Sequence, residues 1–360
     1  MAYTTINKST DYFNTKLYSG TDYAQSVTGV GFQPDYTWIK CRSHSGSNTF
    51  SHINTDSVRG ANKTIHANEI STESTSHNTG YLASFDSDGF TTGSGSNGID
   101  SVGGVGRTYA SWNWKAGTTS GITTNGSTTI TPTAYSFNAT SGFSIISYNG
   151  NGTAGAGIPH GLGVAPKMVM IKNRDNVSGY GWYVMNTNRG AGTVLYLHST
   201  DGSASNTTAY NSTYPDATNV YLGTNSGTNG NGEALIAYCF ADVPGYSKFG
   251  KYTGNGNADG TFVYTGFKPA FILAKRADSA DNWVMYDDKR SGYNPQNDRL
   301  YPNGNFAEEG TTDKMFDMLS NGFKARATWT TINASGGSYI YIAFAEHPFV
   351  GDGTNPVTAR

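Results

Sequence analysis

One segment of this sequence recurs three times, and the repetition constrains the fold more than any other feature. In each copy, a glycine and a large apolar residue precede a proline, and an apolar run then ends on a lysine six residues after it. The matching positions are Pro34, Pro166 and Pro269 for the proline, and Lys40, Lys172 and Lys275 for the lysine. Repetition at a fixed internal register indicates tandem copies of one structural unit.

A second apolar segment closes each copy at a similar distance from the proline. Trp112, Tyr238 and Phe344 lie 78, 72 and 75 residues after the matching prolines, and we align them on that spacing. The sequence therefore predicts three tandem domains. The predicted boundaries are residues 1–117 for the first repeat, 118–139 for a Gly/Ser/Thr/Asn-rich linker, 140–243 for the second repeat, 244–350 for the third repeat and 351–360 for a C-terminal tail.

The composition indicates that these repeats are all-β. The 24 Tyr, 17 Phe and 6 Trp argue against disorder, because disordered chains are poor in aromatic residues. Aromatic and β-branched residues separated by small turn-forming residues are typical of strands. Apolar runs such as residues 270–274 suit strands covered on both faces, and a proline at the head of a strand disturbs the hydrogen-bond ladder least. We expect each repeat to be a two-sheet, jelly-roll-like β-sandwich.

Charge and motifs disfavour several classes of function. A net charge of −2 without a basic run predicts no nucleic-acid partner, and no apolar stretch reaches the roughly 18 residues that a membrane span requires. Residues 150–155, GNGTAG, match a dinucleotide fingerprint, but the following IPHGLGVAP is not a helix. Histidine spacing and the absence of a nucleophile elbow predict no metal, cofactor or catalytic residue. We interpret Asp287–Asp288 and Glu308–Glu309 as solvated acids.

Recurring arginines and loop tyrosines are the remaining candidate site residues. The arginines lie seven residues after an aromatic or histidine position: Arg59 after His52, Arg189 after Trp182, and Arg290 after Trp283. We interpret them as structural, binding backbone carbonyls or stacking on rings, with a ligand contact as the alternative. We expect Tyr180, Tyr210 and Tyr214 to be exposed in loops, where they are the better candidates for stacking on a sugar.

Seven segments spread along the chain carry a resemblance to a known family. They are MAYTTINKSTDYFNTKLYSG, GVGFQPDYTWIK, VRGANKTI, WNWKAG, APKMVMIKNR, VPGYSKFGKYTGNGNADGTFVYTGFKPA and INASGGSYIYIAFAEHPF. In this order they resemble a repeat domain of structural proteins from tailed phages, especially phages that infect marine bacteria, of which cyanophages are one kind. The resemblance covers nearly the whole chain. It implies a virion protein of the tail-fibre or tail-associated class, assembled in the host cytoplasm with other virion proteins as partners, and it supplies no catalytic residues.

We therefore expect a non-enzymatic virion protein that helps recognise the host surface, with a glycan as the ligand. Two alternatives remain open: a connector or decoration protein that binds no receptor, and a polysaccharide depolymerase. The closing strands are apolar on both faces, as in residues 339–344, which is more apolar surface than one small sandwich covers. We expect a homo-oligomer to bury this surface, with a trimer as the first choice.

Overall fold

The structure is a computed structural model, and it is almost entirely built from antiparallel strands. It describes residues 4–43, 49–75, 81–95, 102–175, 179–310 and 315–348. Strands make up 43% of the structure and helices 3%, so the prediction of an all-β fold is confirmed. The predicted C-terminal tail, residues 351–360, lies outside the described residues.

Unit 1, the N-terminal part of the chain, contains a five-stranded and a three-stranded sheet. Its strands are β1 (Phe13–Ser19), β2 (Gln25–Thr28), β3 (Tyr36–Cys41), β4 (Ile53–Asp56), β5 (Ile65–His66), β6 (Leu82–Asp86), β7 (Gly89–Thr92) and β8 (Thr108–Trp114). The large sheet has the order β1-β8-β3-β4-β5, and the small sheet has the order β2-β7-β6.

Unit 2, the middle part, has a seven-stranded and a two-stranded sheet and one short helix. Its elements are β9 (Ala134–Asn138), β10 (Phe143–Asn149), β11 (Ala156–Pro159), β12 (Met168–Asn173), β13 (Trp182–Asn186), β14 (Thr193–Tyr196), β15 (Ala204–Ser205), β16 (Asn219–Leu222), α1 (Ser226–Asn229) and β17 (Ala234–Phe240). The orders are β15-β14-β13-β12-β17-β10-β9 and β11-β16. Part of the segment predicted as a linker thus forms an edge strand, β9, which pairs with β10.

Unit 3, the C-terminal part, has a four-stranded and a three-stranded sheet and one short helix. Its elements are β18 (Ser247–Thr253), β19 (Phe262–Tyr264), β20 (Phe267–Arg276), β21 (Trp283–Asp287), β22 (Phe316–Leu319), β23 (Gly322–Ala325), α2 (Thr330–Asn333) and β24 (Ser338–Pro348). The orders are β18-β24-β20-β21 and β19-β23-β22.

The three large sheets share the same central order of strands. In each sheet the closing strand lies between the opening strand and the strand of the repeat proline, and it pairs with both. The strand of the repeat proline also forms a hairpin with the strand that comes next in the chain. The three versions are β1-β8-β3-β4, β10-β17-β12-β13 and β18-β24-β20-β21. The repeated sequence segments therefore fold into the same supersecondary structure, while the exact domain boundaries stay a prediction.

The strand registers correct the alignment of the closing strands. The residues opposite equivalent positions of β3, β12 and β20 are Trp112 opposite Trp38, Tyr238 opposite Met170, and Ile342 opposite Leu273. Ile342, and not Phe344, is thus the equivalent of Trp112 and Tyr238. The alignment by spacing was wrong in unit 3 because the loops between the paired strands differ in length from unit to unit.

The repeat prolines stand at two kinds of position. Pro34 and Pro166 each lie two residues before the central strand of their sheet, as predicted. Pro269 lies inside β20, where the register of the β20–β24 ladder shifts on both sides of it. A bulge tolerates a residue that has no N–H to donate, so the longer ladder of unit 3 continues past its proline.

The large sheets of all three units meet in one hydrophobic core. Aromatic pairs that cross unit boundaries, with their centroid distances, are Tyr36–Tyr238 at 4.6 Å, Phe13–Phe344 at 4.9 Å and Phe240–Phe249 at 5.8 Å. The opposite face of each large sheet is buried in a separate core within its own unit. The second apolar face of the closing strands is therefore covered within the chain. A homotrimer is therefore not needed to cover this face, and the oligomeric state stays a prediction.

Candidate functional site

The three repeat lysines connect neighbouring units in a cyclic order. All three side chains are completely buried, and this burial lowers the pKa of each to about 8. Each ammonium group donates to a backbone carbonyl of another unit: Lys40 to Asn305 at 3.3 Å, Lys172 to Ile70 at 3.1 Å, and Lys275 to Thr200 at 3.1 Å. These lysines therefore hold the units together from inside the protein.

Arg59 lies in a buried cluster of charges between units 1 and 2. Its Nε donates to Oδ2 of Asp56 at 2.5 Å, and its Nη1 donates to Glu73 at 3.0 Å. Unit 2 contributes Arg174, whose Nη1 lies 3.2 Å from Glu73, and Tyr238, whose hydroxyl donates to Asp56 at 2.6 Å. The side chain of Arg59 thus donates to acceptors within unit 1, and the two acids that bind it, Asp56 and Glu73, also bind residues of unit 2.

Arg290 repeats this arrangement between units 3 and 1. Its Nε donates to Asp287 at 2.5 Å, and its Nη1 donates to Glu308 at 2.8 Å. Unit 1 contributes Arg42, which lies 2.7 Å from Glu308, and Trp112, whose Nε1 donates to Asp287 at 3.0 Å. Asp287 is 1% exposed, and Glu308 is also largely buried. Interpreting these two acids as solvated was therefore wrong.

The three tyrosines that we predicted as sugar-stacking residues all belong to unit 2 and have different environments. Tyr210 is fully buried, and its hydroxyl donates to the carbonyls of Val169 and Tyr183, so the prediction of an exposed Tyr210 is wrong. Tyr180 is half-buried against the core of unit 2. Tyr214 is exposed, and its hydroxyl donates to the carbonyl of Arg189 at 2.6 Å. The structure does not bring these rings together as one binding surface.

A cleft in unit 3 is the best candidate for a ligand site, and we call it the unit-3 cleft. It has a volume of about 370 Å³. It lies between the loop that follows β21 and the strands β20, β22 and β24. The lining residues are Lys268, Asp288, Lys289, Gly292, Tyr293, Asn294, Gln296, Met318 and Glu346. A cleft with convergent polar groups is the usual location of a binding site.

The local sequence fixes the loop that forms one wall of this cleft. Gly292 has a φ of +75°, a left-handed conformation that favours glycine, and the next residue, Tyr293, is 79% exposed. Asn294 ties the loop to β22, because its Nδ2 donates to the Met318 carbonyl at 2.8 Å and its Oδ1 accepts from the Met318 N–H at 2.9 Å. The cleft therefore presents an accessible aromatic ring on an anchored loop.

Two buried oxygen atoms of residues in the wall of the cleft lack a hydrogen-bond donor. Oδ1 of Asp288 and Oε1 of Gln296 receive no hydrogen bond from any residue that the structure describes. The other oxygen of Asp288 accepts from Lys289 at 3.2 Å. Since buried acceptors without a donor are costly, a ligand that offers hydroxyl or amine donors would compensate for this cost.

The pKa values of the two carboxyl groups in the cleft are shifted in opposite directions. Burial raises the pKa of Asp288 to about 6, although Lys289 opposes the shift. Burial also acts to raise the pKa of Glu346, but the hydrogen bond and charge of Lys268 outweigh it and lower the pKa. The ammonium of Lys268 lies 2.5 Å from this carboxylate. At neutral pH the cleft thus holds two acids matched by two lysines.

Little in the sequence indicates this cleft. Asp287 and Asp288 are adjacent, so their side chains point to opposite sides of the strand end, one into the unit interface and the other into the cleft. The sequence Gly292–Asn294 was a recognisable turn signal, but nothing in it indicated that Tyr293 would stand beside β24. Within the described ranges, no group of three His, Cys, Asp or Glu side chains is placed to hold a metal ion.

Comparisons with known proteins identify a family but no characterised relative. None of the described helices is long and apolar enough to cross a membrane. Comparison with curated proteins and with solved structures gave no match. One family model, described as a domain of unknown function (DUF7483), matches residues 8–348, which include all three large sheets. The chain therefore belongs to the DUF7483 family.

Proposed function

We propose that this chain is a non-enzymatic virion protein of a tailed phage, part of a tail fibre or related appendage, that binds a host-surface glycan in the unit-3 cleft. The virion assignment rests on the sequence resemblance described above. The observation that carries the binding assignment is the combination of Tyr293 with the two free acceptors of Asp288 and Gln296. An exposed ring stacks on the apolar face of a sugar, and the acceptors take up its hydroxyl donors when the side chains of Asp288 and Gln296 turn towards the cleft.

The charge pattern of the cleft favours a neutral or amine-bearing sugar. Glu346 is already paired with Lys268, and Lys289 is paired with Asp288, which leaves oxygen acceptors as the unsatisfied groups. A sugar acid would place a further carboxylate beside Asp288 and Glu346. We therefore expect hydroxyl groups, or a protonated amine, to face Asp288.

A polysaccharide depolymerase is the second candidate, because Asp288 and Glu346 line one cleft and have pKa values shifted apart. Glycosidases use a protonated acid and an ionised carboxylate in this way. The ion pair to Lys268 at 2.5 Å counts against it, because it engages the carboxylate that would attack the sugar or activate water. Release of reducing ends from host polysaccharide would favour the depolymerase over the binding protein.

The test is a titration of purified host-surface oligosaccharide, followed by saturation-transfer NMR and calorimetry. We expect wild type to bind and Tyr293→Ala to lose at least about fivefold in affinity, since stacking on one ring contributes about 1–3 kcal/mol in comparable base-stacking sites. The matched control is Tyr23→Ala, which removes a tyrosine of unit 1 that is 75% exposed. Equal affinity of all three proteins would refute the cleft as the site. Absence of binding to any host glycan would favour a connector or decoration role.

A further inference from the structure

The interface between units 2 and 3 has uncharged residues where the other two interfaces have carboxylates. Asn186 takes the place of Asp56 and Asp287, three residues before the recurring arginine. Its side chain is buried, with 2% of the residue exposed. The arginine itself, Arg189, is retained, so this interface keeps the cation and has lost its nearest anion.

Ser203 takes the place of the second carboxylate. In all three units, the N–H at this position donates to the carbonyl two residues after a repeat lysine: Glu73 to Arg174 at 3.0 Å, Ser203 to Ala277 at 2.8 Å, and Glu308 to Arg42 at 2.9 Å. The same bonds show that Ala277 replaces an arginine. The interface of units 2 and 3 has therefore lost two carboxylates and one large side chain at once.

Three polar groups at this interface are left unsatisfied. Nε of Arg189, which binds a carboxylate in the other two arginines, has no hydrogen-bond partner within the described ranges. The same holds for Nδ2 of Asn186 and Oγ of Ser203 in the part of the chain that the structure describes. All three atoms are buried and able to donate.

These groups belong to one location. Arg189 Nη1 donates to Oγ of Ser338 at 3.1 Å, and the carbonyl of Ser338 accepts from Ala277 at 2.7 Å. Ala277 in turn accepts from Ser203, and the N–H of Arg189 donates to the Asn186 carbonyl at 2.9 Å. Hydrogen bonds through Ser338 and Ala277 thus connect Ser203 to Arg189, and a backbone bond connects Arg189 to Asn186.

We propose that the interface of units 2 and 3 binds a small anion, a halide or a carboxylate-sized oxyanion, between Arg189, Asn186 and Ser203. The ion replaces the carboxylates that the other two interfaces supply covalently, and it satisfies the three free donors. Small size is required because the three donor atoms are buried, so only a small ion reaches them with little displacement of the side chains around them. Arg189 and Ser203 are half-buried, so the ion exchanges with solvent. Bound only to the folded chain, it stabilises the contact between units 2 and 3.

The test measures the melting temperature of the full chain while chloride, bromide, acetate or phosphate replaces gluconate, an anion too large for this space, at constant ionic strength. For wild type we expect a saturable rise with at least one small anion. Asn186→Asp supplies the missing carboxylate and abolishes the rise. Arg189→Gln, a second variant in case the first does not fold, also abolishes it.

Lys8→Gln is the matched control, because it removes an exposed positive charge from unit 1, which is not part of the interface of units 2 and 3. We expect it to keep the wild-type response, and crystals grown in bromide to show an anomalous peak beside Arg189. A saturable response of the same size in Arg189→Gln as in wild type would overturn the proposal. So would the absence of any saturable response together with the absence of the bromide peak.

Discussion

Replacing Asp287 by asparagine makes the interface of units 3 and 1 resemble that of units 2 and 3. One oxygen of Asp287 accepts from Arg290 Nε and Trp112 Nε1, and the other accepts from the backbone N–H groups of Lys289 and Arg290. Both side chains of the Asp287–Arg290 pair are 0% exposed. The substitution leaves the buried guanidinium of Arg290 with Glu308 as its remaining carboxylate in this cluster. It also places the NH₂ group of the new asparagine against groups that themselves donate hydrogen bonds.

Removing one partner of a buried ion pair costs about 3–5 kcal/mol, and we expect about 3 kcal/mol because Glu308 remains. That is a large part of the 5–15 kcal/mol by which folded domains are stable. Equilibrium unfolding in urea measures the change in free energy of unfolding directly. The matched control is Asp288→Asn at the neighbouring position, which we expect to be neutral or stabilising at pH 7 because burial there disfavours the ionised carboxyl. A loss below about 0.5 kcal/mol for Asp287→Asn, the range of ordinary surface changes, would refute this reasoning.

Three further predictions concern the common core and the pH dependence of stability. Ile342→Asp and Ile236→Asp each bury an unpaired carboxylate in the core shared by the units, at a cost of several kcal/mol, so neither variant should yield soluble protein with a native melting transition. The pKa of Asp288 is raised from 3.8 to about 6, so burying its ionised form costs no stability below pH 3.8 and the full amount above pH 6. In urea unfolding, wild type should therefore lose stability relative to Asp288→Asn as the pH rises through this window. Parallel curves of unfolding free energy against pH would contradict this prediction. The pKa of Lys275 is lowered from 10.5 to about 8, so burying its charged form costs the full amount of stability below pH 8 and nothing once the pH reaches 10.5. In melting curves, wild type should gain stability relative to Lys275→Met over that interval. A difference in melting temperature that does not change with pH would count against this prediction.

The repeated segments predicted the recurring part of this fold correctly, because the residues that repeat are those that the supersecondary structure requires. The apolar run before each repeat lysine became a buried central strand, for example Met168–Asn173. The lysines themselves recur because each is needed at a unit boundary. The repeat pattern did not predict which residues of the closing strands are equivalent. Loops of different length and the register shifts around Pro269 mean that equal spacing along the sequence does not give equal positions in the sheet.

Burial of polar and aromatic residues was harder to predict than the strands. Tyr210 follows a polar segment and looked like a loop tyrosine, yet tertiary packing buries it and satisfies its hydroxyl with backbone carbonyls. The two apolar faces of residues 339–344 led us to expect a homo-oligomer, whereas the surface that covers the second face lies in the same chain. Asp56 before Arg59 and Asp287 before Arg290, with asparagine in the middle copy, form a further repeat in the sequence, but its place at the unit interfaces is evident only from the structure.

Adsorption of phage to host cells tests the proposed function most directly. Cells are incubated first with the purified chain, as wild type, Tyr293→Ala or Tyr23→Ala, and free phage is then counted. We expect wild type and Tyr23→Ala to adhere to the cells and reduce adsorption, whereas Tyr293→Ala does neither at the same concentration. Failure of the folded wild-type protein to adhere or compete, or equal competition by Tyr293→Ala, would contradict recognition of the host through the unit-3 cleft.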